Sequence, residues 1–325
     1  MEFQIKIVLM AFAVSVIASL IIIPILRMLK VGQIERTDGP QSHLKKQGTP
    51  TMGGVIMAVT IIVLTIILFK LLHTTNMEVL KKLIPLVFVT LGFGIIGFID
   101  DFIKLDLKNT KGLKPLYKMV GLLVVAVGYT LYLTNILKLG TDTYIPIIKQ
   151  YINLPIWVYI PFAIFVLLGT TNAVNLTDGI DGLATSVTAI IITALTVISM
   201  FLGVTEVTLI GCILIGACLG FLLFNLHPAK VFMGDTGSLL LGGVIAGMAL
   251  YLKMPLILII LALIPIIETF SVMLQVVYYK KTGNRIFKMA PIHHHFELSG
   301  WKENKVVSIF SIITLILSIV AILVI

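Results

Sequence analysis

The chain has 325 residues, of which 58% are hydrophobic and 12% are charged, and its formal net charge is +9 at pH 7. Soluble domains carry about a quarter charged residues, so this composition excludes a water-soluble enzyme, a disordered protein and a disulfide scaffold. The positive charge could indicate a nucleic-acid partner, but Lys and Arg in a membrane protein mark the cytoplasmic side and anionic lipid. We therefore expect a membrane protein that binds no nucleic acid.

Ten apolar runs follow one another along the chain, and a run of about 20 apolar residues can cross a bilayer as a helix. The runs cover residues 5–27, 53–72, 83–99, 115–134, 156–171, 184–202, 207–225, 239–252, 256–279 and 305–325. This pattern predicts an all-α fold, a polytopic integral membrane protein with about ten transmembrane helices. We expect residues 1–325 to form a single transmembrane domain.

The Lys and Arg residues indicate the orientation of these helices, because most of them fall in the odd-numbered loops. Positively charged loops stay in the cytoplasm, so the odd-numbered loops are predicted to be cytoplasmic and both termini extracytoplasmic. The largest outer segment, residues 135–155, is predicted to lie at the membrane interface rather than to form a domain.

Polar residues concentrate in five clusters, all in the odd-numbered loops. The first, residues 45–54, supplies Lys46, the hydroxyl of Thr51 and glycine amides that can face an anion, or it is a basic turn at the membrane edge. The second places Asp100 and Asp101 at the inner end of the third helix, where adjacent carboxylates oppose the macrodipole and each other. A divalent cation or a shared proton would explain this pair, and a solvated helix end balanced by lysines is the alternative.

The third and fourth clusters add three acids. Residues 172–183 place Asp178 and Asp181 three residues apart, so on a helical path they share one face. A turn made of polar residues is the alternative. In residues 225–243, Asp235 lies between glycines just before an apolar run, and its small neighbours let a bulky ligand approach the backbone.

Aromatic and imidazole groups complete the clusters. Phe232 offers a stacking face for a planar base, or it anchors the membrane edge. Residues 291–297 contain three consecutive histidines, which cannot all face one metal ion in regular structure. We expect this loop to contact a phosphate or carboxylate or to be solvated, and a histidine can also act as a general acid or base near pH 7.

The five clusters together predict phosphoryl transfer at the cytoplasmic membrane surface. Their carboxylates suit Mg²⁺, which takes one or two carboxylates together with substrate phosphates, and the lysines suit the same phosphates. We expect one soluble, anionic substrate and one lipid substrate, with the cation bridging a diphosphate. A secondary transporter or Mg²⁺ channel is the alternative of a different class. Transporters carry polar residues near mid-span, whereas the acids of this chain cluster at the predicted inner ends of the helices.

Five sequence motifs also resemble those of a known family. They are GTPTMGG at 48–54, IDD at 99–101, NAVNLTDGIDGLA at 172–184, VFMGDTGS at 231–238 and APIHHHFELSGW at 290–301. In this order they resemble the polyprenyl-phosphate N-acetylhexosamine-1-phosphate transferases over the whole chain. The intact HHHFE is similar to the muramoyl-pentapeptide branch of that family rather than to the GlcNAc-phosphate branch.

The resemblance implies a ten-helix, Mg²⁺-dependent homodimer in the bacterial cytoplasmic membrane, with a cleft on the cytoplasmic side. Its substrates would be UDP-MurNAc-pentapeptide and undecaprenyl phosphate, and its products lipid I and UMP, the first membrane step of peptidoglycan synthesis. Transfer of GlcNAc-1-phosphate from UDP-GlcNAc is the alternative. Direct displacement and a two-step route through an aspartyl-phosphate both remain open.

The resemblance also implies roles for single residues. The expected catalytic residues are Asp100, Asp101, Asp235 and His293, and Asp235 is also the expected Mg²⁺ ligand. The expected substrate-binding residues are Lys46, Thr51, Lys104, Lys111, Lys118, Asn172, Asn175, Asp178, Asp181, Asn225, Phe232, Gly234, His294 and His295.

Overall fold

Lipid offers the backbone no hydrogen-bond partner, so the apolar runs fold as helices that satisfy their own N–H and C=O groups. The computed structural model of the chain describes residues 1–29, 46, 48–73, 76–106 and 112–325. Its helices are α1 (Glu2–Met28), α2 (Gly54–Leu72), α3 (Met77–Asp106), α4 (Pro115–Leu131), α5 (Ile156–Thr177), α6 (Leu183–Phe201), α7 (Thr205–Asn225), α8 (Gly234–Tyr251), α9 (Leu258–Leu261), α10 (Leu263–Thr282), α11 (Ile292–Glu297) and α12 (Glu303–Leu323). Nine helices within these described ranges are long and apolar enough to cross a membrane. The prediction of a mostly helical, polytopic membrane protein is confirmed.

Helix α8 does not reach that apolar criterion, and it lies inside the bundle. It packs against α3, α5 and α2, and its residues from Thr236 to Tyr251 are buried. A Cβ added at Gly243 would lie 2.6 Å from the Phe93 ring. Such small residues let membrane helices approach closely. Because protein surrounds α8, it can begin with polar residues such as Asp235 without exposing them to lipid.

Two helices differ in extent from the prediction. Helix α3 continues to Asp106, so Asp100 and Asp101 lie within its last two turns rather than at its end. The predicted ninth helix, residues 256–279, is divided into a 3-10 turn, α9 and α10, and Ala262 leaves the helical conformation between the last two. Pro265 in the first turn of α10 explains the division, because a proline is tolerated there but not in a helix interior.

Residues 135–155 contain a β-hairpin, which is a departure from the predicted all-α fold. Strands β1 (Asp142–Ile145) and β2 (Gln150–Asn153) pair antiparallel. The ammonium of Lys253 lies 3.0 Å from a carboxylate oxygen of Asp142, and the backbone N–H of Tyr144 donates to the Lys253 carbonyl. The hairpin is therefore attached to the turn after α8. Four-residue strands are too short for their alternation to stand out in the sequence.

Candidate active site

Three carboxylates meet where α3 lies against the start of α8. One oxygen each from Asp100, Asp101 and Asp235 lies within 4.8 Å of the other two. Asp100 and Asp101 are both 3% exposed. Gly97, one turn before them on α3, faces the Asp235 carbonyl where no side chain would fit. This close contact between helices brings the three expected acids together.

Two lysines neutralise part of this charge. The ammonium of Lys104 lies 2.7 Å from Oδ2 of Asp100 and 2.7 Å from Oδ2 of Asp235. The ammonium of Lys118, in the first turn of α4, lies 2.7 Å from Oδ2 of Asp235 and 3.4 Å from Oδ2 of Asp100. Within the part of the chain that the structure describes, three carboxylates face two ammonium groups, and this excess of negative charge attracts a further cation.

Asp101 differs from its neighbour because it is the side chain that caps α8. Its Oδ2 accepts hydrogen bonds from the backbone N–H of Thr236 (2.9 Å) and from the Thr236 hydroxyl (2.7 Å), and its Oδ1 accepts from the N–H of Asp235 (3.2 Å). A carboxylate at a helix N-terminus satisfies free N–H groups and the positive end of the macrodipole. Both oxygens of Asp101 are therefore occupied in fixing the position of Asp235.

Asn175, in the last turn of α5, holds the other side of Asp235. Its amide donates to Oδ1 of Asp235 (2.7 Å) and to the hydroxyl of Ser238 (2.8 Å). Asp178 follows the end of α5 near the same carboxylates. Burial, with the negative charges of Asp235 and Asp101, raises the pKa of Asp178 to about 7. Burial and the neighbouring carboxylates thus both favour the protonated form of Asp178.

The donor set of this cluster fits a hard divalent cation. Among the described residues it consists of carboxylate oxygens, which Mg²⁺ prefers, without the thiolates or imidazoles that zinc sites use. The Oδ2 atoms of Asp100 and Asp235 are those that face the lysine ammonium groups, whereas the oxygens of Asp101 are taken by α8. A divalent cation would take the place of a lysine ammonium at these Oδ2 atoms, so Asp100 and Asp235 are the two residues that would hold it.

A second cluster forms where four loops meet. The ammonium of Lys46 lies 2.7 Å from Oδ1 of Asp181 and 2.7 Å from Oε2 of Glu303, in the first turn of α12. Oδ2 of Asp181 accepts from the N–H of Ala229 and lies 3.0 Å from Nδ1 of His227. Burial acts to lower the pKa of Lys46, but its hydrogen bonds to the two carboxylates outweigh burial and raise that pKa above its ordinary value. Lys46 therefore stays charged, and the cluster is an ion-pair network.

The expectation that Asp178 and Asp181 share one helical face is wrong. Helix α5 ends at Thr177 and α6 begins at Leu183, so the intervening residues form a turn with Gly182 at φ +75°. The glycines on either side of Asp181 favour this turn over continued helix. As a result Asp178 lies near the acid cluster, and Asp181 belongs to the ion-pair network.

The segment before α8 is fixed by backbone contacts to the start of α2. The N–H of Phe232 donates to the Pro50 carbonyl, and the N–H of Gly53 donates to the Phe232 carbonyl, each at 2.8 Å. A Cβ at Gly234 would lie 2.9 Å from the Thr51 hydroxyl. Asn225 is 2% exposed, and it accepts from the Thr185 hydroxyl and donates to the Val231 carbonyl. Asn225 therefore links α6 to the segment before α8 through two buried hydrogen bonds.

The remaining expected residues lie elsewhere or are not described. Asn172 donates to the Leu168 carbonyl one turn earlier in α5. His294 lies 2.9 Å from a carboxylate oxygen of Glu297, and Nδ1 of His295 accepts from the N–H of Lys288. His293 is 0% exposed and faces Glu268. Lys111 lies outside the described residues.

Sequence reasoning missed Thr236, Ser238 and Glu303 as site residues. The first two lie in the same motif as Asp235, and hydroxyls at the start of a buried helix were a usable signal. Glu303 gave no signal, because its contact with Lys46 joins residues 257 positions apart and depends on how α12 packs.

The fold and the site together define a polytopic membrane protein with a buried carboxylate centre, and comparison with known proteins agrees. The profile of glycosyl transferase family 4 matches residues 83–253, and a phospho-N-acetylmuramoyl-pentapeptide-transferase signature matches residues 46–56. The first range contains all three acids, and the second contains Lys46 and Thr51. The chain belongs to glycosyl transferase family 4.

Similar proteins carry a more specific name and align over nearly their whole length. A phospho-N-acetylmuramoyl-pentapeptide-transferase of Acetivibrio thermocellus is 49% identical over 95% of this chain and 92% of its own. Those of Clostridium botulinum strain Eklund 17B and Clostridium novyi are 51% and 48% identical, over 96% and 99% of this chain and 93% and 97% of theirs. The family resemblance predicted from the motifs is confirmed.

Proposed function

We propose that the chain transfers phospho-MurNAc-pentapeptide from UDP-MurNAc-pentapeptide to undecaprenyl phosphate, giving lipid I and UMP. The observation that supports this most directly is the meeting of Asp100, Asp101 and Asp235 with Lys104 and Lys118. Carboxylates that can hold a cation, beside lysines that can hold phosphates, are what transfer to a lipid phosphate requires. The full-length similarity to phospho-N-acetylmuramoyl-pentapeptide-transferases supports the choice of substrates.

In the proposed reaction an oxygen of undecaprenyl phosphate attacks the β-phosphorus of the nucleotide sugar, and the bond from that phosphorus to UMP breaks. Asp100 and Asp235 would hold Mg²⁺, which would neutralise charge on the diphosphate. Lys104 and Lys118 bind phosphate oxygens, and Asp101 keeps Asp235 in place through α8. Asp100 orients the lipid phosphate, whose second pKa of about 6 leaves it largely deprotonated at neutral pH.

Direct displacement is the form of the reaction that the contacts of Asp100 support. Its Oδ1 accepts the N–H of Leu113 at 2.7 Å, and its Oδ2 faces Lys104. A carboxylate engaged at both oxygens is suited to orienting a substrate rather than to attacking phosphorus. We expect no covalent intermediate when the protein is incubated with donor alone and quenched in acid. Isolation of a phospho-MurNAc adduct on Asp100 would establish the two-step route.

Lys46, Thr51 and Phe232 are proposed to bind the nucleoside, next to Asn175, Asp178 and Gly234. Phe232 is half-buried beside the start of α2 and offers a ring on which uracil can stack. We further propose a homodimer in the bacterial cytoplasmic membrane, with the acid cluster on the cytoplasmic side. The excess of Lys and Arg in the loops that form the cluster supports this orientation.

The proposal is tested with purified protein, radiolabelled UDP-MurNAc-pentapeptide and undecaprenyl phosphate, with and without Mg²⁺. We expect lipid product only with Mg²⁺, and a loss of at least about 1,000-fold in Asp235→Asn, because metal and lysine contacts are lost together. Asp142→Asn is the matched control, since Asp142 also pairs with a lysine but lies in the hairpin. Product from UDP-GlcNAc alone would instead favour GlcNAc-1-phosphate transfer.

A further inference from the structure

Glu268 is a carboxylate buried within the apolar helix α10. It is 0% exposed, and a carboxyl group at such a position is costly unless it has a partner. The group it faces is His293, which is also 0% exposed. Nδ1 of His293 lies 3.1 Å from Oε2 of Glu268, and the backbone N–H of His293 donates to the same oxygen at 3.4 Å. The pair connects α10 to the segment between α10 and α12, residues 283–302, which contains α11 and is called here the histidine loop.

The opposite edge of the His293 ring lies against Gly179. Nδ1 faces the carboxylate of Glu268, and Nε2 lies on the other edge of the ring. A Cβ added at Gly179 would overlap Nε2 and would lie 2.6 Å from Cε1. The φ angle of Gly179 is outside the left-handed region, so space rather than backbone conformation requires glycine here.

Gly179 lies in the turn that divides the two polar clusters. Asp178, directly before it, lies near the acid cluster, since the negative charges of Asp235 and Asp101 act with burial to raise its pKa. Asp181, two residues after it, is held by Lys46 and Ala229. The ring of His293 therefore limits the position of this turn from the side of α10.

A second contact attaches the histidine loop to the same helix. Gln275 lies seven residues after Glu268, so both side chains project from one face of α10. Its carbonyl oxygen accepts from the N–H groups of Ile286 and Phe287, and its amide donates to the Phe287 carbonyl, each at 3.0 Å. The loop is thus attached at two points, and a shift of α10 would be passed to His293.

We infer that Glu268, His293 and Gly179 form a contact chain, buried at Glu268 and His293, that positions Asp178 at the acid cluster. His293 is then a positioning residue that acts through Gly179, in place of the direct catalytic role expected from the sequence. The inference rests on the proposed function, because it assigns the histidine loop to the placement of a substrate-binding residue. Glu268 is a second positioning residue, which fixes the orientation of the imidazole.

A double substitution tests the contact between Gly179 and His293. Gly179→Ala forces the turn away from the ring, and we expect transfer activity to fall about 100-fold, as for a displacement near 1 Å. His293→Asn keeps an amide N–H for Glu268 and removes the outer half of the ring. We expect the transfer activity of His293→Asn to fall by less than about tenfold. We expect the double variant to be at least about tenfold more active than Gly179→Ala alone.

The controls separate this contact from general damage. Gly169→Ala is the matched glycine control, since nothing lies within 4 Å of its added Cβ, and it keeps wild-type activity. Melting temperatures of the same variants follow the same pattern, a loss in Gly179→Ala and a recovery in the double variant. This readout needs no substrate, so it tests the contact even if the proposed transfer is not observed. A double variant no better than Gly179→Ala in both readouts overturns the inference.

Substitution of Glu268 tests positioning against acid–base catalysis. In Glu268→Gln we expect the KM for UDP-MurNAc-pentapeptide to rise about tenfold. This is the usual effect of losing a residue that orients a ligand-binding residue without touching the ligand. The pH profile of kcat keeps its wild-type shape. Glu206→Gln is the matched control, because Glu206 is a buried glutamate that accepts one hydrogen bond, from Tyr251. Loss of one limb of the pH profile in Glu268→Gln, or a loss of 100-fold or more in a folded His293→Asn, would assign His293 to the chemistry and overturn the inference.

Discussion

At the scale of single residues, Asp100 and Asp101 are adjacent in the sequence but have different partners. Asp100 faces Lys104 and the N–H of Leu113, and its Oδ2 is directed at the shared lysines. Asp101 accepts three hydrogen bonds from the first residues of α8. One acid is therefore placed for a cation, and the other determines where Asp235 lies.

This difference predicts unequal effects of the same substitution. Asp101→Asn keeps one oxygen for Thr236, and asparagine remains a good helix cap, so we expect transfer activity to fall about tenfold. Asp101→Ala removes the cap, which typically stabilises a protein by about 1 kcal/mol, and we expect a lower melting temperature together with a larger loss of activity. The measurement is activity and thermal unfolding of both variants beside Asp100→Asn. Equal losses in Asp101→Asn and Asp101→Ala at unchanged melting temperature would contradict the capping role.

The residues of the site could be found from the sequence, but not all their contacts could. Acidic residues beside apolar runs cost free energy near a membrane. Asp100, Asp178 and Asp235 could therefore be recognised as candidate site residues from the sequence. Lys46 was expected to face an anionic substrate, yet its partners are Asp181 and Glu303. Such pairs depend on the packing of distant helices, which spacing along one chain does not specify.

At the scale of elements, the apolar runs predicted the helices, and the packing decided their ends and breaks. Helix α3 continues past its apolar run because Asp100 and Lys104, four residues apart, pair on one face and have partners on α8. Ala262 interrupts the ninth run where α9 meets α10. Neither feature changes the mean hydropathy of the run, so hydropathy alone could not indicate it.

The close contact of α8 with α3 predicts a stability effect. A methyl group at Gly243 would lie 2.6 Å from the Phe93 ring, and the neighbouring side chain must move. We expect Gly243→Ala to destabilise the protein by about 1–3 kcal/mol, the usual cost of overpacking, and to lower its melting temperature in detergent. The control is Gly169→Ala, at an exposed position of α5 where the methyl group meets nothing. Equal melting temperatures for the two variants would contradict the packing described for α8.

At the scale of the whole molecule, loops far apart in sequence meet in two neighbouring clusters. The acid cluster joins α3, α4, α5 and α8, and the ion-pair network joins Lys46, the turn before α6, the segment after α7 and the start of α12. The turn with Asp178 and Asp181 connects the two clusters. The packing of apolar helices thus brings the aspartates of the sequence motifs into one region. This arrangement is expected of an enzyme that acts on a phosphate at a membrane surface.

The most direct test is the binding of a divalent cation to the acid cluster in the absence of substrate. Mn²⁺ uses the same oxygen ligands as Mg²⁺, and its free concentration can be followed by electron paramagnetic resonance with the purified full-length protein. The account predicts a Mn²⁺ site in the wild type and in Asp142→Asn that is weakened at least about tenfold in Asp100→Asn and Asp235→Asn. Equal Mn²⁺ affinity in the wild type and Asp235→Asn would contradict the placement of the cation between these two carboxylates.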